Sequence, residues 1–202
     1  MKFTLLQNAV DSLKSTYNSL EKYKETIIGR DHLVKDAVLS LNHANELLFK
    51  HILKEENEFL IFSDIHKYMS AKEKMIEKKK KNVFEVNPNL NTVGFYEAIR
   101  RLELLCEKNV PENFKNALLY INKKRNEITH YEIEMDMDEY QLFIENLEAA
   151  YEMTISFFSK YENELTSLLS EARFEVSLEI TDPDVEAMAH DSYIDYMETM
   201  IP

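Results

Sequence analysis

Tryptophan is absent from this chain, glycine occurs only twice in 202 residues, and proline four times. Tight hairpins depend on residues that accept positive φ, so this scarcity excludes a fold built from many short strands. The lone Cys106 excludes an internal disulfide and a cysteine-based zinc site. No apolar run reaches the ~18 residues of a membrane span, and the start, Met1-Lys2-Phe3-Thr4, lacks a long apolar signal core. These gaps predict a cytoplasmic protein with no membrane partner.

What is present favours helices. Hydrophobic residues make up 45% of the chain, enough for a buried core in one domain, and Leu, Glu, Lys and Met are abundant. The net charge of −13 argues against a surface coated by nucleic acid, whose phosphates draw affinity from Lys and Arg. The charge is uneven. Residues 174–202 hold eight carboxylates and no Lys or Arg, whereas Lys67, Lys72, Lys74 and Lys78 to Lys81 form a basic stretch.

Apolar spacing predicts an all-α, up-and-down bundle of four to six helices over residues 1–170. Leu6, Ala9, Val10, Leu13, Tyr17, Leu20 and Ile27 define a first helix closed by Gly29 as C-cap. Asp31 serves as N-cap for a second, along Val34, Ala37, Val38, Leu41, Ala44, Leu48 and Ile52. Residues 57–91 read as a loop with one helix, and Thr92 caps a short helix through Phe95, Ile99, Leu102 and Leu105. Pro111 suits the first turn of the next helix. Asp136 and Glu139 form a capping box for a last long helix reaching Leu165. In residues 171–202, Phe174, Val176, Leu178 and Ile180 alternate like a short C-terminal strand, followed by an acidic tail.

The hexapeptide Arg125-Asn126-Glu127-Ile128-Thr129-His130 stands out. Phe114, Leu118, Ile121, Arg125 and Ile128 follow a four-three-four-three spacing that sets a guanidinium in line with core positions. Such a charge asks for a carboxylate, a phosphate or a partner subunit, because desolvation costs several kcal/mol otherwise. His130 lies about 140° around the helix from Arg125 at 100° per residue. Asn126 is four residues before His130 and is predicted to hydrogen-bond and orient its ring. Two plainer readings compete: Lys123, Lys124 and Arg125 as a solvated run, and His130 as an ordinary helix-end residue. Glu127-x-x-His130 has the spacing of a di-iron half-site, but no other histidine has Glu three residues before it.

Asn45-Glu46-Leu47-Leu48-Phe49-Lys50 on one helix, and Arg125-Asn126-x3-His130 on a later one, resemble the HEPN family of prokaryotic ribonucleases over about residues 31–170. The resemblance implies a metal-independent, cofactor-free endoribonuclease, homodimeric, with two motifs facing one cleft. It implies Arg125, Asn126 and His130 as catalytic residues and an RNA substrate, with Lys124, Tyr131 and Glu46 as flanking contacts. RNA cleavage by its own 2′-hydroxyl needs a proton carrier near neutral pH and a cation at the phosphorane, roles His130 and Arg125 can fill. It also implies a toxin or anti-phage effector governed by an antitoxin or another regulatory protein. In one branch a nucleotidylated tyrosine follows the histidine by two residues. Glu132 occupies that place here, with Tyr131 adjacent to the histidine. Some members are non-catalytic and bind nucleotides or partners, which supplies the alternative reading of a helical binding module.

His43, Glu46 and Lys50 share a helix face and read as a structural polar set. Lys78 to Lys81 read as a solvated loop or an outlying RNA contact. Gly29 and Gly94 are isolated, which excludes a phosphate-cradling glycine loop, and no Ser-His-Asp hydrolase signature occurs. For the acidic tail two expectations stand: a solubilising or dimer-wrapping segment, or a phosphate mimic that restrains a basic cleft.

Overall fold

The structure, a computed structural model, describes residues 3–173. Seven α-helices form among them: α1 (Leu5–Glu25), α2 (Arg30–Glu56), α3 (Ile65–Glu77), α4 (Phe95–Leu105), α5 (Glu112–His130), α6 (Met137–Phe158) and α7 (Leu165–Glu171). Short 3-10 turns cover Glu58–Ile61 and Val83–Glu85. The expected all-α bundle is present, with more helices than the four to six expected. The strand expected over Phe174 to Ile180, and the acidic tail, lie outside the described residues.

The ends of the helices follow local chemistry. Thr4 and Gln7 cap α1 reciprocally, as the Gln7 N–H donates to Thr4 Oγ1 at 3.1 Å and the Thr4 N–H donates to Gln7 Oε1 at 3.0 Å. The helix stops at Glu25, short of Gly29. Thr26, Ile27 and Ile28 are consecutive β-branched residues, poor helix formers, and Thr26 is already extended. Gly29, at φ +80°, precedes α2 instead of closing α1, and Asp31 sits in the first turn of α2 rather than capping it. The Asp136–Glu139 capping box opens α6 as expected. That helix ends at Phe158, so α7 is a separate element.

Thr92 caps nothing. It forms an isolated antiparallel bridge with Phe62, and Gly94 holds the N-cap position of α4. The bridge is pinned from both sides: Arg101 Nη1 donates to the Leu60 and Phe62 carbonyls at 2.8 and 2.7 Å, and Lys50 Nζ donates to Thr92 Oγ1 at 3.0 Å. Lys50 is almost buried and also reaches Glu46 at 2.6 Å, so these two of the polar set on α2 are structural, while His43 faces solvent.

The core runs between α1, α2, α5 and α6, with α4 against α2. Leu13, Leu41, Leu53, Leu118 and Leu147 are fully buried. Phe49 meets Phe158 edge-on at 4.9 Å and Phe95 at 5.9 Å, while Phe114 and Phe157 lie 5.2 Å apart. Each such ring contributes about 1.5–3 kcal/mol by burial. Asn45 and Thr154, both fully buried, join α2 to α6 by a 3.0 Å hydrogen bond. Arg173 closes the described chain by gripping Asp11 of α1 through two hydrogen bonds of 2.7 and 2.8 Å. No helix among the described residues is long and apolar enough to cross a membrane.

Candidate functional site

The hexapeptide occupies the last two turns of α5, and His130 is the final helical residue. Phe114, Leu118 and Ile121 are buried as their spacing predicts, but the inward position at the next turn belongs to Asn122. Arg125 is half-buried rather than enclosed, and Ile128 only packs against the edge of the core. The desolvation problem posed by the apolar stripe is therefore relieved by water, without a buried counter-charge.

The polar contacts also differ from the sequence expectation. Arg125 Nη1 donates to Asn126 Oδ1 at 3.0 Å, so the amide oxygen holds the guanidinium rather than the imidazole. Thr129 Oγ1 donates back to the Arg125 carbonyl at 2.7 Å, the local bond a helical threonine makes one turn back. Arg125 makes no ion pair among the described residues. Glu127 draws Lys124 at 3.0 Å and Lys123 at 3.9 Å, which ties Lys124 down and leaves Arg125 the uncompensated cation of the three. His130 and Tyr131 are exposed, Tyr131 at 82%. Glu46 is committed to Lys50, so no Arg125–Glu46 pair forms. No group of three or more His, Cys, Asp or Glu able to hold a metal occurs among the described residues.

Beside the motif lies a groove of about 790 Å³ that sequence reasoning missed. Ile27 and Val34 line one side, Ile128, Ile133 and Met135 the other, with Phe143 and Tyr140 between them. It forms where the end of α5, the 131–136 connection and the start of α6 stand away from the start of α2. The Tyr140 hydroxyl is buried without a partner at bonding distance. Burial, with Tyr23 and Asp31 close by, pushes this phenol well above its ordinary pKa. The signal was in the sequence: Ile27-Ile28 and Ile133-x-Met135 place apolar side chains in connections, where solvent-facing residues are the rule. Ile27, Ile28 and Met137 are 87, 90 and 82% exposed at this end of the bundle.

The fold and the site define the chain as an all-α helical bundle with an exposed Arg-Asn-x3-His turn beside an apolar groove. No family model, curated protein or solved structure matches it.

Proposed function

We propose that the chain is a metal-independent endoribonuclease working as a homodimer, in the manner of the HEPN family its motif resembles. The observation that carries this reading is that Arg125 and His130 lie on adjoining turns, accessible to solvent, with the guanidinium unpaired by any described carboxylate. A cation left without a counter-charge beside an exposed imidazole suits a phosphodiester.

The chemistry is transesterification. His130 takes the proton of the ribose 2′-hydroxyl, the 2′-oxygen attacks phosphorus, and the bond to the 5′-oxygen breaks to leave a 2′,3′-cyclic phosphate. The departing 5′-oxygen takes a proton from water to become a 5′-hydroxyl, while the His130 imidazolium returns its proton to solvent. Arg125 neutralises the charge that grows on the phosphorane. Asn126, hydrogen-bonded to Arg125, is a positioning residue. Arg125 and His130 point about 140° apart on one helix, so a single subunit does not focus both on one phosphate. A second copy, placing its own motif opposite, completes the cleft. Lys124 and Tyr131 flank it. The setting is that of a toxin or anti-phage effector with a protein regulator, and Glu132 makes control by tyrosine nucleotidylation at that position inapplicable.

The test is cleavage of total RNA in excess EDTA by wild type, Arg125→Ala and His130→Ala. Each substitution is expected to lower the rate by about 10²–10⁴-fold. Equal cleavage by all three proteins would refute the catalytic assignment, and loss of wild-type activity in EDTA would refute metal independence. The groove beside the motif favours a second reading, a non-catalytic module that binds a nucleotide or a partner. Under that reading wild type leaves RNA intact but binds its ligand.

A further inference from the structure

A cleft of about 450 Å³ lies between α3 and the turn at Asn87, lined by His66, Lys67, Ser70, Lys74, Val86 and Asn87, with Ala71 at its floor. His66, Ser70 and Lys74 stand at i, i+4 and i+8, so their donors line one face of α3, and Lys67 flanks them. No carboxylate lines the cleft. Asp64, Glu73 and Glu85 flank the cleft residues along the chain without lining it, and Asp64 is spent as N-cap of α3, accepting the Lys67 N–H at 3.0 Å. For Asp64, the distance to Lys67 Nζ is a loose 3.7 Å. On the adjoining face Lys72 is neutralised by Glu58 at 2.6 Å, whereas Lys74 makes no ion pair among the described residues. Lys78 to Lys81 continue the positive charge beyond the end of α3.

A concave site with two lysines, an imidazole, a hydroxyl and an amide converging from a helix face and a turn suits a group with several acceptor oxygens. We propose that this cleft binds a phosphodiester of a nucleic-acid backbone, as a contact for RNA separate from the Arg125 motif. The assignment of RNA rests on the ribonuclease reading; the phosphate chemistry does not. The contact lies far from the motif, because α3 follows the C-terminal end of α2 while Arg125 lies near its N-terminal end, and 27 residues of α2 span about 40 Å. RNA held at both places is extended over several nucleotides. The acidic segment 174–202 is the rival occupant, since its carboxylates offer the same charge.

The experiment uses a fluorescent single-stranded DNA oligonucleotide, which carries the same phosphodiesters but no 2′-hydroxyl and so cannot be cleaved by the proposed chemistry. Anisotropy at about 50 mM salt is compared for the full chain, for Lys67→Gln/Lys74→Gln, and for a control pair outside both the cleft and the groove, Lys14→Gln/Lys160→Gln. The cleft variant is expected to bind about tenfold more weakly and to lose about 1.4 units of salt slope, with the control unchanged. Equal loss in the control overturns the proposal by reducing it to overall charge, and unchanged binding in the cleft variant overturns it outright. Binding seen only after deletion of 174–202 also overturns it, in favour of the acidic segment as occupant. Because Arg125 and His130 are intact and no cleavage is read, failure here is distinct from failure of the ribonuclease reading.

Discussion

Arg125 carries different consequences for stability and for activity. A guanidinium fully enclosed by the stripe of α5 would cost several kcal/mol to leave unpaired. Half-buried and bonded only to Asn126, it is expected to be nearly dispensable for folding. Arg125→Ala should shift the urea stability by less than about 0.5 kcal/mol, as surface substitutions do, while removing cleavage. A large loss of stability would return Arg125 to a structural role. Asn45 is the opposite case. Its amide donates to the Leu41 carbonyl and to Thr154 Oγ1, both at 3.0 Å, in a fully buried setting. Asn45→Ala removes the Thr154 hydroxyl's cross-helix partner, leaving it only the Ala150 carbonyl, and opens a small void, so urea unfolding should lose about 2–3 kcal/mol. Tyr151, whose phenol burial pushes up to about 12, stays neutral across the usable pH range and adds nothing to pH dependence there.

Among the elements, α6 and α7 are packed on the core and each carries a polar device at one end. The Asp136–Glu139 box fixes the start of α6, which is also a wall of the groove beside the motif. Asp136→Ala should cost about 1 kcal/mol, read by thermal or urea unfolding, and loosen the 131–136 connection. Leu165, Leu168 and Leu169 dock α7 on the core, and Asp11 with Arg173 adds a clasp at its end. The hydrogen bonds from Arg173 hold the Asp11 carboxyl below its ordinary pKa, outweighing the upward push of partial burial. A carboxylate depressed in the folded state stabilises above its unfolded pKa of about 3.9, and that stabilisation fades as pH falls through the folded value. Both side chains are over a third exposed, so the pair contributes only about 0.5 kcal/mol after screening. Protection factors of α7 amides, corrected for the intrinsic pH dependence of exchange, should therefore fall about twofold as pH drops below about 4, and Asp11→Asn should show the lower protection already at pH 7.

For the whole molecule, the exposed apolar end around Ile27, Ile28 and Met137 joins the Arg125 turn and the groove on one side of the bundle. A homodimer formed there places two motifs near each other and covers surface that a monomer leaves to water. Light scattering of the full chain should give twice the 23.9 kDa protomer mass, and Ile28→Glu/Met137→Glu should return it to one protomer with cleavage lost. A monomeric wild type that cleaves RNA would refute the composite cleft.

Helix content was legible because it rests on local chemistry: period, caps and the scarcity of glycine. The capping box at Asp136, the core stripes of α2 and α6 and the Glu46–Lys50 pair on α2 could all be read from spacing. Where the reading failed, a competing local or distant contact decided. Three β-branched residues stopped α1 before Gly29, and the Phe62 bridge drew Thr92 away from capping α4. The candidate site divides the same way. Sequence alone determined which residues share the last turns of α5, since 100° per residue is a property of the helix. Only the tertiary structure decided that Arg125 meets water instead of the core and takes the amide of Asn126. The groove beside them likewise depends on how far the ends of α2, α5 and α6 stand apart, a distance set by packing that helical periodicity does not encode.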